Sequence, residues 1–373
     1  MRIMELCLSP NLGGLELYVF RSSVALIKQD DVVAVLSPRG GLLRYFTQKS
    51  LPCYEMEPGF KALPLIKAKM LAGIVDNEAI DVIHAHWTKD LPLAVLAKIL
   101  SRRKPRLVYT RQMQITRSKK DFYHNFIYRN IDLILAITRR LEDDLKKYLC
   151  PRNKDKVKTL YYGVREPEEI ISDDKKRNLR AEIGVPESEF LVGIFGRNKH
   201  EKGQYLVIRA VRKLRAEGLS VSALIVGHPM DESYLTELKD NTRSDHLDRH
   251  VVFKDFVDNP QLWMQVCDAV VLASENETFG LVLAEAMQAG VAVIGTNSGG
   301  VTEIIKNMET GLMFEPGDSA GLASCIRMLA TDSEFRKNIA ENGREKARGA
   351  FDHAGHYEKL RSLMASRGIY KES

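Results

Sequence analysis

A chain of 373 residues is long enough for two domains with separate cores, at about 100–200 residues per domain, and its 55 Lys and Arg nearly balance its 49 Asp and Glu. No apolar run approaches the roughly 18–20 residues that span a bilayer, and the first nine residues are too short and too acidic for a signal peptide, so a cytoplasmic enzyme is expected. The five cysteines (Cys7, Cys53, Cys150, Cys267 and Cys325) are scattered without metal-ligand spacing, which excludes a zinc-finger or disulfide scaffold and predicts reduced thiols.

Along the first half, apolar runs at 3–8, 32–36, 82–85, 107–110, 133–137 and 157–160 read as strands, with helical patterns such as 15–28, 63–75 and 139–149 between them. After the first strand comes Asn11-Leu12-Gly13-Gly14-Leu15-Glu16, where adjacent glycines let backbone amides approach a ligand or simply make a tight turn. The run Asp81-Val82-Ile83-His84-Ala85-His86-Trp87 ends the third strand run. His84 reads as a core residue, and His86, nearer the loop, as the site candidate. Residues 1–165 hold 29 Lys and Arg against 16 Asp and Glu, a net of +13, and the remaining 26 against 33 give −7. Much of the excess falls at 98–129, where Arg102, Arg103, Lys104, Arg106, Arg111, Arg117, Lys119 and Lys120 accompany Phe122, Tyr123, Phe126 and Tyr128. Such a mixture predicts docking on an anionic membrane or on an anionic lipid-linked glycan. Nucleic acid is the rival, and no nucleic-acid motif accompanies the charge.

A turn-rich polar stretch, 162–169, reads as a hinge, and strands recur at 190–195, 221–226, 251–253, 269–273 and 291–294. Strands alternating with helices predict parallel sheets with right-handed crossovers. Gly196 ends the strand 190–195, so Arg197 and Lys202 stand where open α/β sheets bind ligands, and two cations there can neutralise a diphosphate. The segment 274–287 sets Glu277 in a loop, Gly280 and Leu281 at a helix start and Glu285 in that helix. The free amides of a helix start attract an anion. Carboxylates beside such a site make sense when the ligand also offers hydroxyls, and a nucleotide sugar has both parts. A glycoside hydrolase would need its two carboxyls about 5–9.5 Å apart, whereas eight residues of continuous helix rise about 12 Å. Two solvated glutamates would need no explanation at all.

Taken in order, Thr278-Phe279-Gly280, Glu285-Ala286-Met287, Gly290 and Ser298-Gly299-Gly300-Val301-Thr302-Glu303 resemble the retaining glycosyltransferases of family 4. Gly196-Arg197-Asn198-Lys199-His200-Glu201-Lys202-Gly203 is similar to the family's diphosphate-gripping motif, and 231–243 with 251–259 to its base-binding region, which makes Phe256 a candidate base contact. The resemblance implies the α/β GT-B fold, two Rossmann-like doubly wound domains facing across a cleft. Residues 1–165 would bind the acceptor, 166–350 the donor, and 351–373 would return to the first domain. It implies a retaining, metal-independent hexosyltransferase that needs no cofactor. The donor would be a nucleotide-diphosphate sugar and the acceptor a glycan or a lipid-linked glycan of lipopolysaccharide or another surface polysaccharide. The enzyme would then work in the cytoplasm, peripheral to the inner face of the membrane.

Within that implied site Arg197, Lys202 and Glu277 are catalytic, and Phe279, Gly280, Leu281, Glu285 and Phe256 bind the donor. Gly14, Glu16, His86 and Gln112 lie on the acceptor side. Two departures stand out. Gly227-His228-Pro229-Met230 replaces the family's Gly-Asp-Gly-Pro, and Gln112 takes the place of a His, which removes a proton shuttle. The competing readings are a binding protein without turnover, or a phosphorylase or epimerase of the same fold.

Overall fold

The computed structural model describes residues 1–58, 64–230 and 232–366. Position 63 of the predicted helix 63–75, position 231 of the predicted base-binding stretch and the terminal 367–373 lie outside them. The chain divides into two compact units, Met1–Tyr161 together with the segment from Ala354 onward, and Tyr162–His353.

Unit 1 is built on strands β1 (Arg2–Cys7), β2 (Asp31–Leu36), β3 (Cys53–Glu55), β4 (Val82–Ala85), β5 (Arg106–Arg111), β6 (Leu133–Ala136) and β7 (Val157–Thr159). Among the described residues they form one parallel sheet in the order β3-β2-β1-β4-β5-β6-β7. Its central strands are apolar nearly throughout because both faces are covered. Helices α1 (Gly14–Leu26), α2 (Leu42–Gln48), α3 (Leu65–Asn77), α4 (Leu91–Leu100), α5 (Phe122–Arg129) and α6 (Arg139–Tyr148) make the crossovers. Strand order reverses between β1 and β4, so right-handed connections put α1 and α2 on one face and α3 to α6 on the other. The three-residue strand β3 carries too little pattern to be read from sequence.

Unit 2 holds α7 (Asp173–Glu182), β8 (Phe190–Phe195), α8 (Gln204–Ala216), β9 (Val221–Val226), α9 (Glu232–Ser244), β10 (Val251–Lys254), α10 (Pro260–Val266) and β11 (Ala269–Leu272). It continues with α11 (Leu281–Gln288), β12 (Ala292–Thr296), α12 (Val301–Ile304), β13 (Leu312–Phe314), α13 (Ser319–Thr331) and α14 (Ser333–Ala350). Its parallel sheet runs β10-β9-β8-β11-β12-β13, again reversing direction at the middle, between β8 and β11. Val192, Ile194, Val211, Ala223, Val271 and Ile294 lie in its core. Side-chain caps stop and start the helices: Asn259 opens α10, Asp318 opens α13 and Asp332 opens α14.

The last helix, α15 (His353–Ala365), packs into unit 1. Tyr357, Leu360 and Met364 enter the core with Ile3, Leu26 and Val82. Arg361 Nε donates to Asp30 at 2.7 Å, and Tyr18 OH meets His356 Nε2 at 3.0 Å. These contacts fasten α15 to the α1 side of the sheet.

Candidate active site

In unit 2 the predicted donor residues gather at the carboxyl edge of the sheet, around the strand-order reversal where open α/β sheets bind ligands. One glycine follows each of the neighbouring strands β8 and β9. Gly196 (φ 141°) and Gly227 (φ 153°) touch so closely that a Cβ on Gly227 would lie 1.8 Å from the Gly196 carbonyl oxygen. Arg197 emerges exposed from the loop after β8, while its backbone carbonyl accepts from the buried Gln204 amide at 3.0 Å. Gly203, at φ 77°, lets the next turn press on the end of β11, since a Cβ there would meet the Ala273 carbonyl at 2.5 Å. That contact sets Lys202 beside the following loop, and Lys202 Nζ donates to Glu277 Oε2 at 2.8 Å. Residues 75 positions apart in the chain thus form one ion pair.

The Glu277 loop rests on a template made by Ser298, Gly299 and Gly300. Gly300 N–H donates to the Glu277 carbonyl at 2.9 Å and Ser298 Oγ to the Glu275 carbonyl at 2.7 Å. A Cβ on Gly299 would stand 2.1 Å from the Glu277 carbonyl oxygen, and one on Gly300 2.2 Å from that of Thr278. Gly280 (φ 101°) then starts α11 without a capping side chain, so no side chain competes for the helix's first amides. Leu281 is half-buried and Glu285 is buried in α11. Phe279 departs from the expectation of a donor contact: its ring is buried edge-on between Tyr162 and Phe351, at 5.1 and 5.5 Å. Phe256 is exposed after β10.

In unit 1 the expected acceptor residues also cluster at the carboxyl edge, but around a buried polar group. Glu5 on β1 lies beside His84 of β4 in the sheet register. Glu5 Oε1 accepts from Ser22 Oγ at 2.8 Å, and Oε2 meets His86 Nε2 at 2.5 Å. His84 Nδ1 stands 3.0 Å from the same oxygen but out of line for a hydrogen bond, while its Nε2 meets Thr110 Oγ1 at 2.7 Å. Gln112 Nε2 lies 3.4 Å from His86 Nδ1 and Glu16 accepts from Ser9 at 2.5 Å. Gly14 is exposed at the start of α1.

His86 is therefore no open loop residue but a buried one. Burial and the neighbouring His84 lower its pKa to about 4 against the pull of Glu5, so the ring is neutral at physiological pH. Burial alone would raise the Glu5 carboxyl, but the two imidazoles hold it well below the usual carboxylate range. Glu5, His84 and His86 offer ligand atoms within 4.8 Å of one another. Glu5 and His86 nevertheless meet at 2.5 Å, a hydrogen-bond distance. Ligands around zinc, with bonds of about 2.0–2.1 Å, stand roughly 3.3 Å apart.

Two family models match the chain, "Glycosyltransferase Family 4" over residues 12–166 and "Glycosyl transferases group 1" over 175–346. The chain belongs to these glycosyltransferases. N-acetyl-alpha-D-glucosaminyl L-malate synthase of Bacillus anthracis is 29% identical over 80% of this chain and 75% of its own length. A lipopolysaccharide core biosynthesis mannosyltransferase, LpcC of Rhizobium leguminosarum bv. viciae, is 26% identical over 78% and 80%. The crystal structure of Anabaena HepE in complex with UDP superposes with a TM-score of 0.85 at 23% identity, over 98% of this chain and all of that one, and shares the GT-B fold.

The structure of this glycosyltransferase also redistributes the basic residues of 98–129. Arg102, Arg103, Lys104 and Arg106 follow α4 and begin β5, at the amino edge of the sheet, whereas Lys119 and Lys120 follow the loop beyond the end of β5. Lys119 N–H donates to the Tyr148 carbonyl at 3.0 Å, which seats it at the end of α6. Arg103 pairs with Asp81 at 3.0 Å, and Lys119 is buried against His124. Arg111 is buried too, and its guanidinium donates to the carbonyls of Met113 and Gln114, holding the turn that carries Gln112. Sequence reasoning passed over Glu5 in unit 1, which bonds His86, and Gln204 in unit 2, which bonds the Arg197 carbonyl and the Asn198 side chain. An acid inside the apolar run Arg2–Cys7 was the available signal for Glu5.

Proposed function

We propose that this glycosyltransferase moves a sugar, with retention, from a nucleotide-diphosphate donor to a glycan or lipid-linked acceptor of lipopolysaccharide or another surface polysaccharide. The observation that carries the reading is the Lys202–Glu277 pair, a cation and a carboxylate joined at 2.8 Å beside the start of α11. A diphosphate needs the first and sugar hydroxyls the second. Arg197 and Lys202 would neutralise the leaving diphosphate, and the amides of Gly280 and Leu281 would bind its phosphate. Glu285 would accept from the ribose and Glu277 from the donor sugar, with Phe256 stacking on the base. Phe279 would contribute through backbone position alone, its ring being spent in the core. Gly14, Glu16, His86 and Gln112 would serve the acceptor, His86 by holding Gln112 in place.

In the reaction the bond from the sugar carbon to the diphosphate oxygen breaks. The acceptor oxygen bonds on the same face, and its proton passes to the departing oxygen, so the neutral, buried His86 need not act as a base. The cations Arg197 and Lys202 would replace the metal that other transferases place on the diphosphate. Names among the relatives and neighbours, such as the lipopolysaccharide core mannosyltransferase and the UDP complex, favour a surface-glycan product and a nucleoside-diphosphate donor. Thermal-shift measurements across UDP, GDP, ADP and CMP sugars test this, because a ligand bound only by the folded state raises its melting temperature. One class should stabilise the parent and not Arg197→Ala, and turnover with it should survive EDTA. No stabilisation by any nucleotide sugar refutes the donor site, and activity lost to EDTA and restored by Mg²⁺ or Mn²⁺ refutes the metal-free reading.

A further inference from the structure

The amino edge of the unit 1 sheet is hollow. Val82, Arg106 and Leu133 begin β4, β5 and β6 there, and with Ile80, Pro105 and Met364 they line a cavity of about 930 Å³. Such a volume holds a small organic molecule. The six residues of β5, about 20 Å long, separate it from Gln112 at the other edge, so it is no part of the acceptor cluster.

The cavity is basic: among the described residues, seven Lys and Arg line it against three Asp. Part of that charge has a structural reason. Helices α4 and α5 end at this edge, and their last carbonyls attract cations. Lys104 Nζ donates to the Ile99 carbonyl, Lys98 Nζ to that of Asn130 at 3.0 Å, and Lys156 Nζ to those of Arg129 and Ile131 at 2.7 and 2.8 Å. Two of the aspartates are engaged as well. Asp132 meets Lys98 at 2.5 Å and accepts from Leu107 N–H at 2.7 Å, while Asp81 pairs with Arg103 at 3.0 Å and accepts from Arg2 N–H at 2.9 Å. Two helix ends supply about half a negative charge each, so with the three carboxylates they offset about four of the seven cations. About three positive charges are left in one concave site.

Arg106 marks where they are unmet. Its Nε is buried and has no hydrogen-bond partner, and burial lowers its pKa against the pull of Asp132. Arg152, exposed in the turn Pro151–Lys156 before β7, completes the wall. A guanidinium with a donor to spare suits a phosphate oxygen. The apolar floor suits an organic body, and the burial of Arg106 favours a small ligand over a polymer backbone, which meets exposed cations.

We propose that this cavity is a second ligand site, which takes a small molecule bearing a diphosphate, with Arg106 and Arg152 on its phosphate oxygens and Ile80, Leu133 and Met364 under its organic part. Met364 belongs to α15, so occupancy ties that helix to the strand ends. The site does not depend on the donor reading.

Calorimetric titration of Arg197→Ala with inorganic pyrophosphate is the test, since that variant lacks a cation expected to hold a diphosphate in unit 2. One salt-sensitive site should remain, and pyrophosphate should raise the melting temperature. Adding Arg152→Gln, at an exposed position, should lower the affinity about tenfold, and adding Arg106→Gln at least as much, as for loss of one charged hydrogen bond. Adding Lys69→Gln, an exposed cation outside the cavity, should leave it unchanged. Affinity that ignores both cavity variants, or that falls equally with Lys69→Gln, overturns the proposal. So does a protein that binds no pyrophosphate, or one that binds single-stranded RNA more tightly through the same arginines. If pyrophosphate behaves as expected while no nucleotide sugar stabilises the parent, the cavity site stands and the donor reading fails.

Discussion

Nucleotide binding asks the half-exposed Lys202–Glu277 pair to accept a third charge, and the 2.8 Å contact sets how much that should cost. An ammonium donating to Glu277 and to a phosphate oxygen along two tetrahedral directions, each near 2.8 Å, would hold those oxygens about 4.5 Å apart. Their repulsion is about 1 kcal/mol with water-like screening and about 4 kcal/mol at an effective dielectric constant of 20. The pair's exposure favours the lower end. Lys202→Ala removes a charged hydrogen bond, about 1.5–3 kcal/mol, and leaves the repulsion, so nucleoside diphosphate affinity should fall on the order of a hundredfold. Glu277→Ala removes repulsion alone: affinity should hold or tighten a few-fold while kcat falls about 10²–10³. The double variant should regain roughly five- to tenfold over Lys202→Ala. Calorimetric titration of the four proteins with the stabilising nucleotide reads all of this. A double variant as weak as Lys202→Ala, or a Glu277→Ala protein that binds more weakly than the parent, would refute a Lys202 shared between Glu277 and the diphosphate.

Gly299→Ala should push the Glu277 loop off its template, because the new Cβ would stand 2.1 Å from the Glu277 carbonyl at φ 58°. We expect a stability loss of about 1–3 kcal/mol and kcat lowered on the order of 10²-fold, and parent-like turnover in a folded variant would show that the turn does not position the loop. Burial pushes Asp90 up to about 7 from its ordinary 3.8, while it accepts from Leu8 N–H at 2.8 Å. A folded value above the unfolded one means the native state keeps a proton that the unfolded chain releases. This stability is present below about pH 4 and is lost as pH rises towards 7, on the order of 4 kcal/mol in all. His86, with its value lowered to about 4, has the opposite slope between about pH 4 and 6.5, so the comparison must be between variant and parent. Asp90→Asn should exceed the parent's melting temperature at about pH 8 and match it near pH 4, and parallel curves across that range would show that Asp90 is ionised in the native state.

Apolar runs and the breaks between them made both sheets legible, because strands buried on two faces leave a continuous pattern. What the pattern does not carry is which neighbours a residue meets. Lys119 follows β5 in sequence, yet its N–H bonds the Tyr148 carbonyl at the end of α6, a partner that the pattern does not name. The charge excess was legible and its neighbours were not. Lys202 and Glu277 are a second case, distant in sequence and joined in space because Gly203 and the Gly299–Gly300 turn bring two strand-end loops into contact. The motif pointed to Phe279 without revealing that its ring closes an aromatic core with Tyr162 and Phe351. Glu5 brings these threads together. A carboxylate inside a fully buried parallel strand has to find partners, so its presence alone predicts a polar neighbour. Only the strand order names that neighbour, since the reversal that sets β1 against β4 also sets Glu5 beside His84 and within reach of His86. The reversal that marks the ligand edge of this sheet therefore also fixes the chain from Glu5 through His86 to Gln112. Gln112 is thus held by buried chemistry that no local motif could announce.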